Sequence, residues 1–194
     1  WNIGYARCFD FKGEYLAALY KRLPIKWILK VRPTINPVRA IRPRGIYSRM
    51  GLNFPRETIA YQRQRLADFL GPQTRVSRRQ YYNEMKQSKV VVSPFGWGEI
   101  NNRDFEAFIY GNLLVKPSVE HLETYPKFFE EGKTYLPYKW DLSDMKEVIT
   151  EAIENYPRYK DIAIEAQSRY TCETISRQGR ENFVSHFSKI LTTA

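Results

Sequence analysis

Residues that build cross-links and metal centres are scarce in this 194-residue chain. There are two cysteines, Cys8 and Cys172, and two histidines, His121 and His186. The cysteines lie far apart and form no Cys-x-x-Cys, which argues for a reduced cytosolic pair rather than a disulfide scaffold. The histidines have no paired spacing, which argues against a structural zinc. No apolar run approaches the ~20 residues needed to cross a bilayer. The opening Trp1-Asn-Ile-Gly is neither an initiator Met nor the charged-then-apolar start of a leader, so a fragment or processed chain is expected. Acidic residues are few in the first half. Residues 1–89 hold 19 Lys and Arg against 5 Asp and Glu, whereas residues 90–194 hold 12 against 16. A basic half of this size attracts polyanions: nucleic acid, anionic lipid headgroups or phosphorylated small molecules. The alternative is a solvated basic surface with no single partner.

The most informative stretch runs from residue 88 to 115 and reads strand, glycine loop, helix, strand. Lys89-Val-Val-Val92 is a short β-branched run that suits a buried parallel strand. Pro94 ends its ladder, and Gly96 and Gly98 flank Trp97, where angles or close approaches forbidden to a Cβ are expected. Asn101 or Asn102 is placed to cap a helix whose first turn carries Asp104 and Glu106. Phe105, Phe108 and Ile109 give it an apolar face, and Gly111 stands at its C-terminal cap. Arg103 and Glu106 are three apart and share the face at the helix start. Open amides and a partial positive charge there suit a phosphate, Arg103 adds a forked donor, and Glu106 can accept from a ribose diol. A nucleoside diphosphate at the carboxyl rim of a parallel sheet is the expectation. The alternative is a surface helix pair over an ordinary turn, since a Gly-x-Gly with Asn101 at the third glycine position is not the dinucleotide fingerprint.

The rest of the chain frames that unit. A helix over 13–22 and a mixed apolar and basic segment over 25–31 are expected, the latter as core or as an interfacial amphipathic piece. Pro33, Pro37 and Pro43 make 32–44 irregular, and Arg32, Arg39, Arg42 and Arg44 make it a basic linker or a phosphate-contacting loop. Residues 45–51 read as strand and loop, and 55–70 as a helix with Ile59, Leu66, Phe69 and Leu70 inward and Arg56, Arg63 and Arg65 toward water. Arg49, at that strand's end, is a second candidate for a diphosphate or else a surface arginine. A short strand at 74–77, a helix over 78–87 capped by Ser77, and a last strand at 134–138 follow. Lys116, at another strand end, is a candidate for the same ligand. Ser143 is expected to cap a helix over 144–156, Pro157 to open the next helix, and 175–191 to form a final one with Phe183, Phe187, Ile190 and Leu191. The alternation from 45 to 156 predicts α/β architecture, a Rossmann-like parallel sheet with helices on both faces and C-terminal helices appended. The expected division is a basic segment at 1–44 and a nucleoside-diphosphate-binding unit at 45–194.

Ser-Pro-Phe-Gly-Trp-Gly-Glu (93–99), Arg-Asp-Phe-Glu-Ala-Phe (103–108) and Gly-Asn-Leu-Leu-Val-Lys-Pro (111–117) resemble the donor-binding half of GT-B glycosyltransferases, of the group-1-like and exostosin-like kinds. The likeness continues through His121-Leu-Glu-Thr124, Gly132-Lys-Thr-Tyr-Leu-Pro137 and Trp140-Asp-Leu-Ser-Asp144, and covers residues 75–175. It implies Glu106 as the ribose ligand, Gly96, Trp97, Gly98 and Glu99 near phosphates or sugar, and Arg103 as a phosphate contact. Phe95 stands where the family carries a Glu before its Gly-aromatic-Gly, which makes Glu99 the candidate for the sugar-hydroxyl and catalytic role. Such enzymes generally need no bound metal, in keeping with the lack of an Asp-x-Asp here.

The expected function is transfer of a sugar from a UDP- or GDP-sugar to a glycan or lipid-linked acceptor by a metal-independent glycosyltransferase. No cofactor is expected beyond that donor substrate. Asp10, Glu14 and Glu99 are candidate bases, the alternatives being a base on another domain or the donor phosphate itself. The expected location is cytoplasmic, with the basic half resting on anionic membrane. Two other readings stand beside it. One is a basic nucleic-acid-binding module, with arginines and tyrosines interleaved over 39–82 but no recognised signature. The other is a glycosyltransferase-like scaffold without turnover.

Overall fold

A computed structural model describes residues 35–39, 41–71 and 74–192. The helix expected over 13–22, the 25–31 segment, Cys8, Arg32, Pro33, Asp10 and Glu14 lie outside the described residues. Four parallel strands stand in the order β1 (Arg44–Tyr47), β2 (Ser88–Val92), β3 (Leu113–Pro117) and β4 (Leu136–Tyr138). Between and after them run α1 (Glu57–Leu70), α2 (Arg78–Gln87), α3 (Asn102–Tyr110), α4 (Met145–Glu154), α5 (Tyr156–Ile175) and α6 (Arg177–Thr192). This is a Rossmann-like α/β unit with C-terminal helices appended.

Period-2 alternation along the strands sorts the core into two layers. Tyr47, Val91 and Leu114 point to one face, against Met85 of α2, Phe105 and Phe108 of α3, and Tyr170 of α5. Val90, Val92, Leu113 and Val115 point to the other, against Leu66 of α1 and Met145 and Ile149 of α4. Both faces are therefore covered, which explains why β2 and β3 are nearly continuous in apolar residues.

Local chemistry sets the ends of α3. The Asn101 side chain accepts from Arg103 N at 2.9 Å, and Asp104 Oδ2 accepts from Asn101 N at 3.0 Å, a capping box. At the far end Gly111 takes φ 63°, with Asn112 N donating to Ala107 O at 2.9 Å. A Cβ on Gly111 would also sit 2.9 Å from Asn36 O and Val38 N, because the 35–38 segment crosses the chain there. Gly111→Ala combines a left-handed penalty with this backbone collision. It is expected to cost about 2–4 kcal/mol in denaturant unfolding.

Several expectations are corrected. Residues 74–77 form no strand, although Ser77 does cap α2 by accepting from Gln80 N at 3.2 Å. Ser143 does not cap α4. Asp144 occupies the N-cap without a side-chain cap bond, and its Oδ1 accepts from Lys139 N instead. The helix ends at Glu154, and Tyr156 begins α5. Arg42, expected in a solvated linker or phosphate loop, is 4% exposed. It donates to Ser88 O at 2.9 Å and Tyr110 O at 2.8 Å, with longer bonds to Lys86 O and Pro37 O. Its guanidinium caps the helix ends carrying Lys86 and Tyr110 at the amino edge of the sheet. Burial pushes its pKa down. On α6, Phe187, Ile190 and Leu191 are exposed. Among the described residues no helix is long and apolar enough to cross a membrane.

Candidate functional site

Parallel strands deliver their C-terminal loops to one rim, and three cavities adjoin there. The first, about 490 Å3, is lined by Arg63, Gly96, Trp97, Gly98, Arg103 and Glu106, among others. A second, about 600 Å3, shares Tyr81 and Arg103 with it and extends over Arg49 and Met50. A third, about 970 Å3, shares Gly96, Trp97 and Gly98 and extends over Glu99 and Trp140. Arg103 and Trp97 thus stand at the two boundaries of the first cavity.

The first cavity carries concentrated positive charge. Arg63 donates from Nε to Phe95 O at 3.0 Å and from Nη1 to Gly51 O at 2.8 Å, which fixes its plane against the glycine loop. Its pKa is lowered, first by burial and then by the positive charge of Arg103. Arg103 donates from Nη2 to Arg49 O. Neither guanidinium forms an ion pair with a carboxylate among the described residues. Two like charges facing one cavity repel each other, and an anion between them relieves that repulsion.

Glu106 is oriented by two phenols. Tyr81 Oη donates to its Oε2 at 2.7 Å and Tyr82 Oη to its Oε1 at 3.3 Å. Burial raises its pKa above the ordinary 4.5, while the Tyr81 bond and the Arg103 charge oppose the rise. Burial also pushes the Tyr81 phenol up to about 12, which keeps it a donor. An ionised carboxylate has about four acceptor sites, so two remain after the tyrosines.

The glycines act differently from expectation. Positive φ among the described glycines occurs at Gly71, Gly111 and Gly132, not at Gly96 or Gly98. A Cβ at Gly96 would meet Arg63 Nη2 at 3.5 Å, and one at Gly98 would meet Ile100 O at 3.6 Å, both ordinary contacts. No backbone strain demands glycine here. Both glycines line the first and third cavities. The helix start also differs, because the capping box occupies amides expected to be open: Arg103 N goes to Asn101 and Asp104 N to Asn101 O. Side-chain arginines, more than helix amides, hold the positive charge.

Two residues predicted as ligand contacts, Lys116 and Arg49, are engaged by partners within the protein. Lys116 is fully buried. Its Nζ donates to Asp104 Oδ2 at 2.7 Å and Glu99 O at 2.8 Å. Asp104 Oδ1 in turn accepts from Ser93 Oγ at 2.5 Å. The ammonium therefore knots the ends of β2 and β3 to the start of α3, and offers nothing to a ligand. Arg49 makes a forked pair with Glu84, at 2.9 and 3.0 Å, and also bonds Thr74. That pairing raises the Arg49 pKa and lowers that of Glu84. Arg49 contributes its carbonyl to Arg103 and its side chain to a wall.

Glu99 lines the third cavity, and its Oε2 accepts from His121 Nε2 at 2.7 Å. His121 also meets the Trp140 ring at 5.3 Å. Sequence reasoning missed Arg63, His121 and Trp140. Arg63 had a signal: it lies four residues after Ile59 and three before Leu66, on the flank of the buried face of α1. His121 and Trp140 fall in stretches that carry the resemblance, but nothing local pointed to the His121 contact with Glu99, 22 positions away. Among the described residues no cluster of three or more His, Cys, Asp or Glu side chains could hold a metal ion. No protein-family model matches the chain, and no curated protein matches it.

Proposed function

We propose that this chain is the donor-binding unit of a metal-independent GT-B-type glycosyltransferase, which takes a UDP- or GDP-sugar and passes the sugar to a glycan or lipid-linked acceptor. The observation that carries the reading is the pair Arg63 and Arg103, neither in an ion pair with a carboxylate among the described residues, on one cavity at the carboxyl rim of a parallel sheet, where open α/β sheets bind ligands. The diphosphate lies between the two guanidiniums. The ribose diol donates to Glu106, which Tyr81 and Tyr82 hold in place. Bare Gly96 and Gly98 let the sugar approach the loop.

In transfer, the bond from the anomeric carbon to the diphosphate oxygen breaks, and its electron pair leaves with the diphosphate. Arg63 and Arg103 meet the charge that grows there. The acceptor oxygen bonds to the anomeric carbon, and its proton passes to a base, for which Glu99 is the candidate on this chain. The proposed setting is cytoplasmic, with the basic first half on anionic lipid headgroups where lipid-linked acceptors lie.

Saturable displacement of UDP or GDP by the corresponding nucleotide-sugar tests the reading. A chain that binds nucleoside diphosphate but ignores every nucleotide-sugar would defeat it. A pH dependence tests the Glu106 role. Only the ionised carboxylate accepts both ribose hydroxyls, and its pKa is raised above 4.5. Wild-type affinity for UDP is therefore expected to climb as pH rises from 4.5 through the shifted value, then level off. In Glu106→Gln the protein contribution to that climb disappears and affinity is about tenfold lower on the plateau. The phosphate's own titration is common to both proteins and cancels in their ratio.

A further inference from the structure

Trp97 and Trp140 line the cavity of about 970 Å3 beyond the Gly-Trp-Gly loop, and are 69% and 51% exposed. Both rings are held. Trp140 Nε1 donates to Ser118 O at 2.8 Å, and its ring packs edge-on against Phe95 at 4.9 Å. Trp97 leans on Phe54 at 5.1 Å, with the Arg56 guanidinium over its ring at 5.6 Å. Leaving two fixed indoles in water on one cleft is unfavourable unless something covers them.

The polar part of the cleft is equally specific. Glu99 is anchored twice: its carbonyl accepts from buried Lys116, and its carboxylate accepts from His121. A carboxylate only accepts, so His121 Nε2 carries the proton, and Glu99 Oε1 has no hydrogen-bond partner among the described residues. Arg56 is the cation on this cleft, against Glu57 and Glu99, so the cleft lacks the positive excess of the arginine cavity next to it. Flat apolar rings beside a hydroxyl-accepting carboxylate match a pyranose, which has one apolar face and equatorial hydroxyl donors.

We infer that this cleft is a saccharide site, with a sugar ring lying on Trp97 and Trp140 and its hydroxyls donating to Glu99. His121 is a positioning residue that fixes the Glu99 carboxylate. This inference rests on the donor-site reading in one respect only, that the bound saccharide is the acceptor. The shared Gly96-Trp97-Gly98 wall sets it next to the donor cavity.

The test follows the indole N–H resonances of the isotope-labelled chain, assigned with Trp97→Phe and Trp140→Phe. The probes are maltotetraose, chitotetraose and a panel of methyl pyranosides, taken to their solubility limits. Saturable shifts of the Trp97 and Trp140 resonances are expected. Trp140→Ala weakens the saccharide about tenfold or more and Trp140→Phe, which keeps a ring, weakens it less. His121→Ala weakens it as Glu99→Gln does, whereas His121→Gln, which keeps a donor near Nε2, restores much of the loss. Loss with both His121 variants alike overturns the positioning role. No movement of either indole with any probe, or shifts that survive Trp140→Ala and Glu99→Gln together, overturns the site. The two readings fail separately: UDP or GDP binding with silent indoles sinks only this inference, and saccharide shifts without nucleotide binding sink only the donor reading.

Discussion

Lys116→Met is expected to destabilise the chain by about 3–5 kcal/mol, enough to lower the midpoint of thermal unfolding by roughly 10 °C. The Lys116 and Asp104 side chains are both 0% exposed and lie 2.7 Å apart. Removing the ammonium leaves a buried carboxylate held, among the described residues, by Ser93 Oγ and Asn101 N. It also frees Glu99 O from its anchor. Lys116→Met combined with Asp104→Leu removes both charges, so its cost should fall well below the sum of the single changes. It will not fall to zero, because Asp104 also closes the capping box of α3. Denaturant unfolding of the three variants measures this directly. A loss under about 1 kcal/mol for Lys116→Met would mean that the pair contributes nothing to the loop's position.

Arg103→Ala and Arg63→Ala are each expected to weaken UDP or GDP binding by about 10- to 100-fold, the range for a lost charge-assisted hydrogen bond. The unliganded fold should respond much less than it does to Lys116→Met. Burial first and then the Arg103 charge lower the Arg63 pKa, so deleting either arginine relieves a repulsion as well as losing its carbonyl contacts. Lysine is a poor substitute, because the planar fork matches two phosphate oxygens and a single ammonium does not. Fluorescence titration with a labelled nucleoside diphosphate reads the affinities. Equal binding by wild type and both alanine variants would remove the arginine pair from the site.

Local signals in the sequence were sufficient for the four strands of the sheet and for α3, although they also pointed to a strand at 74–77 that does not form. The Val90–Val92 run, the Asn101 and Asp104 cap and the Gly111 stop each act within a few residues, and each is found where its pattern points. Covering of both sheet faces followed from the same alternation. What the sequence could not reveal depends on partners far along the chain. Arg42 reads as solvated until Tyr110 O and Ser88 O are brought to it from 68 and 46 positions away. Lys116 reads as a ligand contact until Asp104 neutralises it in the interior. Arg63 reads as exposed because a helix flank can turn either to water or to a neighbouring loop, and only the fold decides. The glycine loop was located correctly, but its glycines line cavities without adopting positive φ.

The most direct measurement is the crystal structure of this chain grown with saturating UDP or GDP. The expected result has the diphosphate within hydrogen-bond distance of both Arg63 and Arg103, and the ribose hydroxyls on Glu106 between Tyr81 and Tyr82. A nucleotide seated elsewhere on the surface, or absent from the crystal and from solution binding alike, would contradict it.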